Sequence, residues 1–322
     1  MNILAAFILL GVTSAVTFAL MPFLIPRLLK YGITGLDIHK ADKPVRAEMG
    51  GASILIASLV ALVLAYPLLD PLSLTFFAAF STVVLVGIVG MVDDVVGLRQ
   101  RYKPFLVAIA SIPLVYVLWG RASINFPLIG SVPFGLLYPL LVVPLAVTTS
   151  ANFSNILAGF NGLEAGTASI AIAALTFLSW IRGQYDASLI GIIFLGGYLA
   201  FLKYNWYPAK AFPGDTGTLM SGAAVAAIGL VGRLEFAAIV VSMPAAFDFT
   251  LKMLHRRPFA QRGIFGNTTV ASDGKLIPPS YPALAHAFMN ISAMSEKNLV
   301  KSLLIMEAAY ALLAIIITQF LM

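Results

Sequence analysis

Long uncharged apolar runs alternate with short polar segments along this chain. Ten runs, roughly 3–26, 51–69, 73–92, 104–119, 135–151, 166–182, 187–203, 217–232, 234–253 and 299–321, approach the ~20 residues that a helix needs to cross a bilayer. Lipid offers no partner to a free backbone N–H or C=O, so only helices or a closed barrel can span it. The ten-residue alternation of barrel strands is missing. The pattern therefore predicts an all-α polytopic membrane protein with about ten transmembrane helices. No second domain separates from this frame, and residues 1–322 read as one integral-membrane domain with a long loop at about 254–298. The opening "MNILAAFILL" has no basic region and no small-residue cleavage site, which predicts a retained first helix.

Composition changes the picture in two ways. The absence of cysteine excludes disulfides and thiolate metal sites. Only 11% of residues are charged, so where they fall is informative. Seventeen of the 20 Lys and Arg lie in or beside the loops after odd-numbered runs, leaving Arg121, Arg182 and Arg233 on the other side. The positive-inside rule makes the crowded face cytoplasmic and puts both termini outside. Ten of the 14 acids gather on that same face: Asp37, Asp42, Glu48, Asp93, Asp94, Glu164, Asp215, Asp248, Asp273 and Glu296. Acids contribute little to orientation, so their clustering needs another cause, and a polar site at the cytoplasmic face supplies it.

Five stretches carry candidate chemistry. "GMVDDVVGLRQRYKP" ends the third run with Asp93 and Asp94, which on a helix point about 100° apart, so that one can face a site while the other holds its surroundings. Arg99 and Lys103 follow as phosphate-binding cations, although a juxtamembrane salt-bridge cluster would read the same way. "ANFSNILAGFNGLEAG" offers Asn152, Asn155 and Asn161 among glycines, suited to a uracil edge, a sugar hydroxyl or a metal, or to plain helix capping. In "FPGDTGTLMSG", Asp215 and Thr216 open the eighth run, where a helix N-terminus favours anions and hard oxygens suit Mg²⁺; capping explains the Asp equally well. "LHRRPF" places His255, Arg256 and Arg257 where they could clamp a pyrophosphate or meet lipid headgroups. "DIHKADKPVRAEMGG" mixes acids, cations and paired glycines, and its His39, like His286, shows no metal-ligand spacing and reads as structural or surface.

All five stretches fall at cytoplasmic span ends, which capping or salt bridging alone does not predict. Carboxylates for a divalent metal, amides for a base and cations for phosphates together point to phosphoryl transfer from a nucleotide-activated donor. The bilayer would hold the other substrate. A transporter would carry charges near the midplane, where Glu307 is the main exception to otherwise uncharged spans.

Taken together, "DIHKADKP" with "EMGG", "DDVVGLRQRYKP", "NILAGFNGLEAG", "FPGDTGTLMSG" and "HRRP" resemble the polyprenyl-phosphate N-acetylhexosamine-1-phosphate transferase superfamily over essentially the full chain. "NILAGFNGLEAG" is similar to the dolichyl-phosphate GlcNAc-1-phosphotransferase branch, and bacterial relatives usually carry Asp at the position of Asn161. The resemblance implies that UDP-GlcNAc and dolichyl phosphate give GlcNAc-diphosphodolichol and UMP, with Mg²⁺ or Mn²⁺ as cofactor. Undecaprenyl phosphate or another UDP-amino sugar is the alternative within the superfamily. It implies metal ligation by Asp215 and Asn161, and catalysis by Asp93, Asp94, Lys103 and Asp215. Donor contacts are implied for Glu48, Asn155, Gly162, Leu163, Glu164, His255, Arg256 and Arg257, although Leu254 stands where the family has an Arg. The implied partners are the two substrates and the bilayer, with a homodimer as candidate assembly and no nucleic acid. A bend in the ninth span fits Pro244 followed by Asp248.

Overall fold

The computed structural model describes residues 3–69, 72–255, 268–279 and 282–321. Its helices follow the apolar runs. The first three are α1 (Ile3–Lys30), α2 (Gly51–Leu68) and α3 (Leu74–Val96), followed by the short α4 (Lys103–Ala110) and α5 (Ile112–Val117). A π-helical turn at Tyr138–Val142 leads into α6 (Val143–Ile156), and α7 (Leu163–Ile181), α8 (Tyr185–Asn205), α9 (Gly214–Val231) and α10 (Glu235–His255) come next. The short α11 (Leu284–Ile291) and the long α12 (Glu296–Phe320) complete the order. Counting the π-turn with α6, nine helices among the described residues are long and apolar enough to cross a membrane. The protein is an all-α integral membrane protein.

The fourth run departs from the single helix expected. It breaks at Ser111, whose hydroxyl donates to the Ala108 carbonyl (2.6 Å), and Pro113 has no N–H with which to continue the ladder. The 254–298 loop departs too. Its described part contains a hairpin and α11, whose first amide, on Leu284, donates to Asp248 Oδ1 (2.8 Å). Pro244 lies inside α10 without ending it.

Three two-stranded antiparallel hairpins sit at the helix ends: β1 (Thr34–Leu36) with β2 (Val45–Ala47), β3 (Ser123–Phe126) with β4 (Gly130–Pro133), and β5 (Thr269–Val270) with β6 (Leu276–Ile277). The first and third share one face of the bundle with the C-terminal ends of α3, α6 and α8; the second lies at the other. On that other face two of the cations close helix ends. Arg121 donates to the carbonyls of Leu230 and Val231 at the end of α9, and Arg182 to that of Thr318 in α12. A guanidinium is well matched to free carbonyls at the negative end of a helix.

At the centre stands α9, buried without interruption from Thr216 to Val231 and packed chiefly against α3 and α6. Its contact with α3 depends on Gly90, where a methyl group would overlap the Asp215 carbonyl. This close approach sets the acidic end of α3 against the first turn of α9.

Candidate active site

The left-handed C-cap Gly97 (φ 71°) ends α3, its N–H returning to the Asp93 carbonyl (2.8 Å), and the turn that follows delivers Lys103 at the start of α4. Lys103 is buried, and its ammonium bridges the Asp93 carboxylate and Asp215 Oδ2 (2.5 Å from the latter). The other Asp93 oxygen accepts the Leu98 N–H (2.5 Å). Asp215 Oδ1 accepts from Asn155 Nδ2 (2.5 Å), which lies 2.8 Å from the Thr218 hydroxyl as well. One continuous polar chain thus joins α3, α4, α9 and α6.

Asp94 turns toward α9. Its carboxylate accepts the N–H of Asp215 (2.6 Å), the N–H of Thr216 (3.0 Å) and the Thr216 hydroxyl (2.6 Å), satisfying the free amides of the helix's first turn. Gly214 leaves room for this: its φ is +67°, and a Cβ there would lie 2.5 and 2.8 Å from the two Asp94 oxygens. Glu48 completes the set from the loop after β2. Burial, then the negative charges of Asp94 and Asp215, hold its carboxyl above the usual carboxylate range. The loop is stitched in place by Phe212 N–H to Ala47 O (2.8 Å), Gly50 N–H to Phe212 O (2.8 Å) and Gly51 N–H to Pro213 O (2.9 Å).

Among the described residues, Asp93 and Asp215 share the Lys103 ammonium, while Asp94 and Glu48 add two more carboxyl groups beside Asp215. Their negative charge and hard oxygen chemistry suit a divalent cation such as Mg²⁺ or Mn²⁺.

Other expected residues gather in a second cluster. Asn161, paired with Asp215 by the resemblance, has its side-chain oxygen engaged elsewhere, by the Ala209 N–H (2.6 Å) and Lys40 (3.4 Å), and its own N–H donates to Glu296 Oε1 (2.7 Å). The amide on Asp215 belongs to Asn155 instead. The physical reason is that α6 continues to Ile156 and holds Asn155 against α9, whereas the chain beyond it turns toward the α8–α9 loop. Glu164 Oε1 accepts the Gly159 N–H (2.7 Å). Gly162 starts α7 at φ +88°, with the Trp206 ring 2.8 Å from where a Cβ would stand. The Leu163 side chain is buried in an apolar cluster with Phe160, Leu299 and Leu303. Only the backbone of His255 is described; Arg256 and Arg257 lie outside the described residues.

Several residues of this face escaped the sequence pattern. Thr218 could have been suspected from its place three residues beyond Asp215, as Thr216 was from its place next to it. Lys40 joins Glu296 and lies 3.3 Å from Asp37, with its ammonium over the Tyr207 ring at 4.2 Å. Lys40 and Glu296 are 256 residues apart, beyond the reach of any spacing motif. His39 is buried rather than at the surface and stacks on Phe160 (4.3 Å between centroids). Burial lowers its pKa to about 4, which keeps the ring neutral.

Comparison with known proteins fits this arrangement. Residues 76–233 match the sequence pattern of glycosyl transferase family 4. The chain is 33% identical over 322 aligned positions, 98% of its own length and of the relative's, to a Saccharolobus solfataricus protein provisionally named UDP-N-acetylglucosamine–dolichyl-phosphate N-acetylglucosaminephosphotransferase. A Sulfolobus acidocaldarius protein with the same provisional name is 32% identical over 89% of this chain and 88% of its own. The phospho-N-acetylmuramoyl-pentapeptide-transferase of Geobacillus kaustophilus is 31% identical over 74% of this chain and 78% of its own.

Proposed function

The chain belongs to glycosyl transferase family 4, and from that premise we propose that it transfers N-acetylglucosamine 1-phosphate from UDP-GlcNAc to dolichyl or a related polyprenyl phosphate, releasing UMP. The observation that carries this reading is the Asp93–Lys103–Asp215–Asn155 chain at one end of a membrane bundle. It combines oxygen donors for a metal with a cation for phosphate, at the ends of apolar helices long enough to cross a membrane. We take this face to be cytoplasmic and both termini to be on the opposite side, a reading supported by the seventeen of 20 Lys and Arg in or beside the loops on this side of the sequence pattern.

A phosphate monoester has a second pKa near ~6, so the lipid acceptor is largely a dianion at neutral pH and needs no strong base. The barrier is repulsion between two polyanions. A Mg²⁺ or Mn²⁺ ion held by Asp215, which Asn155 orients by its NH2, with Asp93 alongside, would supply charge neutralisation at the donor diphosphate. Lys103, oriented by Asp93, draws the acceptor phosphate toward that centre. An acceptor oxygen attacks the donor's β-phosphorus, forming a new P–O bond as the bond to UMP breaks, and UMP leaves with the electron pair. The Asp94 carboxylate, fully engaged at the first turn of α9, acts by positioning Asp215 rather than as a nucleophile.

The test is UMP release by purified protein given UDP-GlcNAc, UDP-GalNAc or UDP-MurNAc-pentapeptide with dolichyl or undecaprenyl phosphate. Release should require lipid and be fastest with UDP-GlcNAc and dolichyl phosphate. A lipid-independent burst of UMP matching the enzyme concentration would overturn direct displacement. A preference for UDP-MurNAc-pentapeptide would move the chain to the activity named for the Geobacillus relative.

A further inference from the structure

Away from the Asp215 centre, the turn between β1 and β2 meets the start of α12. Asp37, His39 and Glu296 each offer one ligand atom there, all within 4.8 Å of one another. We propose that these three residues form a second metal site, for one divalent cation of the zinc class.

All three are buried, with 2%, 6% and 3% of their surfaces exposed. His39 Nε2 is buried without a hydrogen-bond partner, while the ring also bonds the backbone of Gly159 and is stacked on Phe160. A fixed imidazole with an unpaired, desolvated nitrogen is costly unless something accepts its lone pair, and a metal ion does so. Asp37 Oδ2 is also buried, with no hydrogen bond but with the Lys40 ammonium 3.3 Å away as its ion-pair partner. The electrostatic geometry points the same way, because the Asp37 and Glu296 carboxylates already bracket one cation, the Lys40 ammonium. An imidazole with two carboxylates favours zinc over magnesium, which prefers an all-oxygen shell.

Lys40 is the resident competitor, since its ammonium pairs with Glu296. A metal displaces it toward the Tyr207 ring, which it already overlies. Through Glu296, which accepts the Asn161 N–H, the ion would tie the β1–β2 turn and the α6–α7 loop to α12.

The experiment uses full-length Asp215→Asn protein, stripped with EDTA, so that the first centre is silenced. Zinc is followed by thermal unfolding and by bound metal per chain. One equivalent should bind and raise Tm by several degrees, and His39→Gln should lose both effects. Lys40→Met should bind zinc at least tenfold more tightly, because the competing ammonium is gone. Zinc K-edge absorption of the loaded protein does not depend on either variant folding, and should show one imidazole nitrogen at about 2.0–2.1 Å. The site is refuted by an unchanged zinc effect in His39→Gln, by Lys40→Met binding no more tightly, by an absorption spectrum lacking an imidazole shell, or by an equal shift with magnesium.

Discussion

Asp93 and Asp94 are sequence neighbours with separate work, because consecutive helical side chains diverge by about 100°. One meets Lys103; the other holds the first turn of α9. Asp94→Ala should therefore cost fold stability, about 1–2 kcal/mol for a lost helix-end acceptor, together with transfer. Asp215→Asn keeps shape and loses a charged oxygen at the metal, so UMP release should fall by roughly 100-fold or more while Tm stays close to wild type. Thermal unfolding in detergent beside a transfer assay separates the two patterns. Glu48 adds a pH signature. Its carboxyl is raised in the fold, so the folded state holds that proton more tightly than the unfolded chain. Its favourable contribution is full below the ordinary carboxylate pKa and disappears as pH rises through the raised value. Glu48→Gln should flatten that part of the Tm–pH curve and make the protein more stable than wild type at neutral pH, while transfer falls. An unchanged Tm–pH curve would remove Glu48 from this acidic set.

At the scale of elements, the site depends on how closely α3 approaches α9. Gly90→Ala must push the helices apart, because the new methyl group meets Asp215 backbone rather than the end of a flexible side chain. Transfer should fall at least tenfold and Tm should drop with it. Gly11 in α1 is the control, with nothing within 4 Å of its would-be Cβ, and Gly11→Ala should be neutral or stabilising by about 0.5–1 kcal/mol. Equal loss in the two variants would mean that helix propensity, and not the α3–α9 contact, governs the result.

For the whole molecule, the testable statement is sidedness. The chain has no cysteine, so single cysteines report directly. Asp42→Cys, Gln100→Cys and Asp273→Cys are exposed positions at the site face and should label from the cytoplasm; Ile129→Cys, in the β3–β4 hairpin, should label from outside. Asp42 and Gln100 labelling from opposite sides would break the common site apart.

Membrane crossing, the clustering of charge at one face and all the long helices but the one broken at Ser111 were legible in the residues alone. A bilayer imposes a fixed length and forbids unsatisfied backbone, so apolar run length carries the architecture without reference to neighbours. The motifs around Asp93, Asn155 and Asp215 were legible for a related reason: each lies at the end of such a run, where the chain must re-enter polar surroundings. Which residue meets which was decided only by packing. Asn155 and Asn161 have the same chemistry, and the length of α6 alone sets the first against Asp215 and sends the second to Ala209. The Asp37–His39–Glu296 cluster had no local signal, because its members reach one another only after the first hairpin and the last helix have been brought to one end of the bundle. Local patterning is fixed by solvent and backbone, whereas contacts between distant segments depend on helix approach distances set by single glycines such as Gly90.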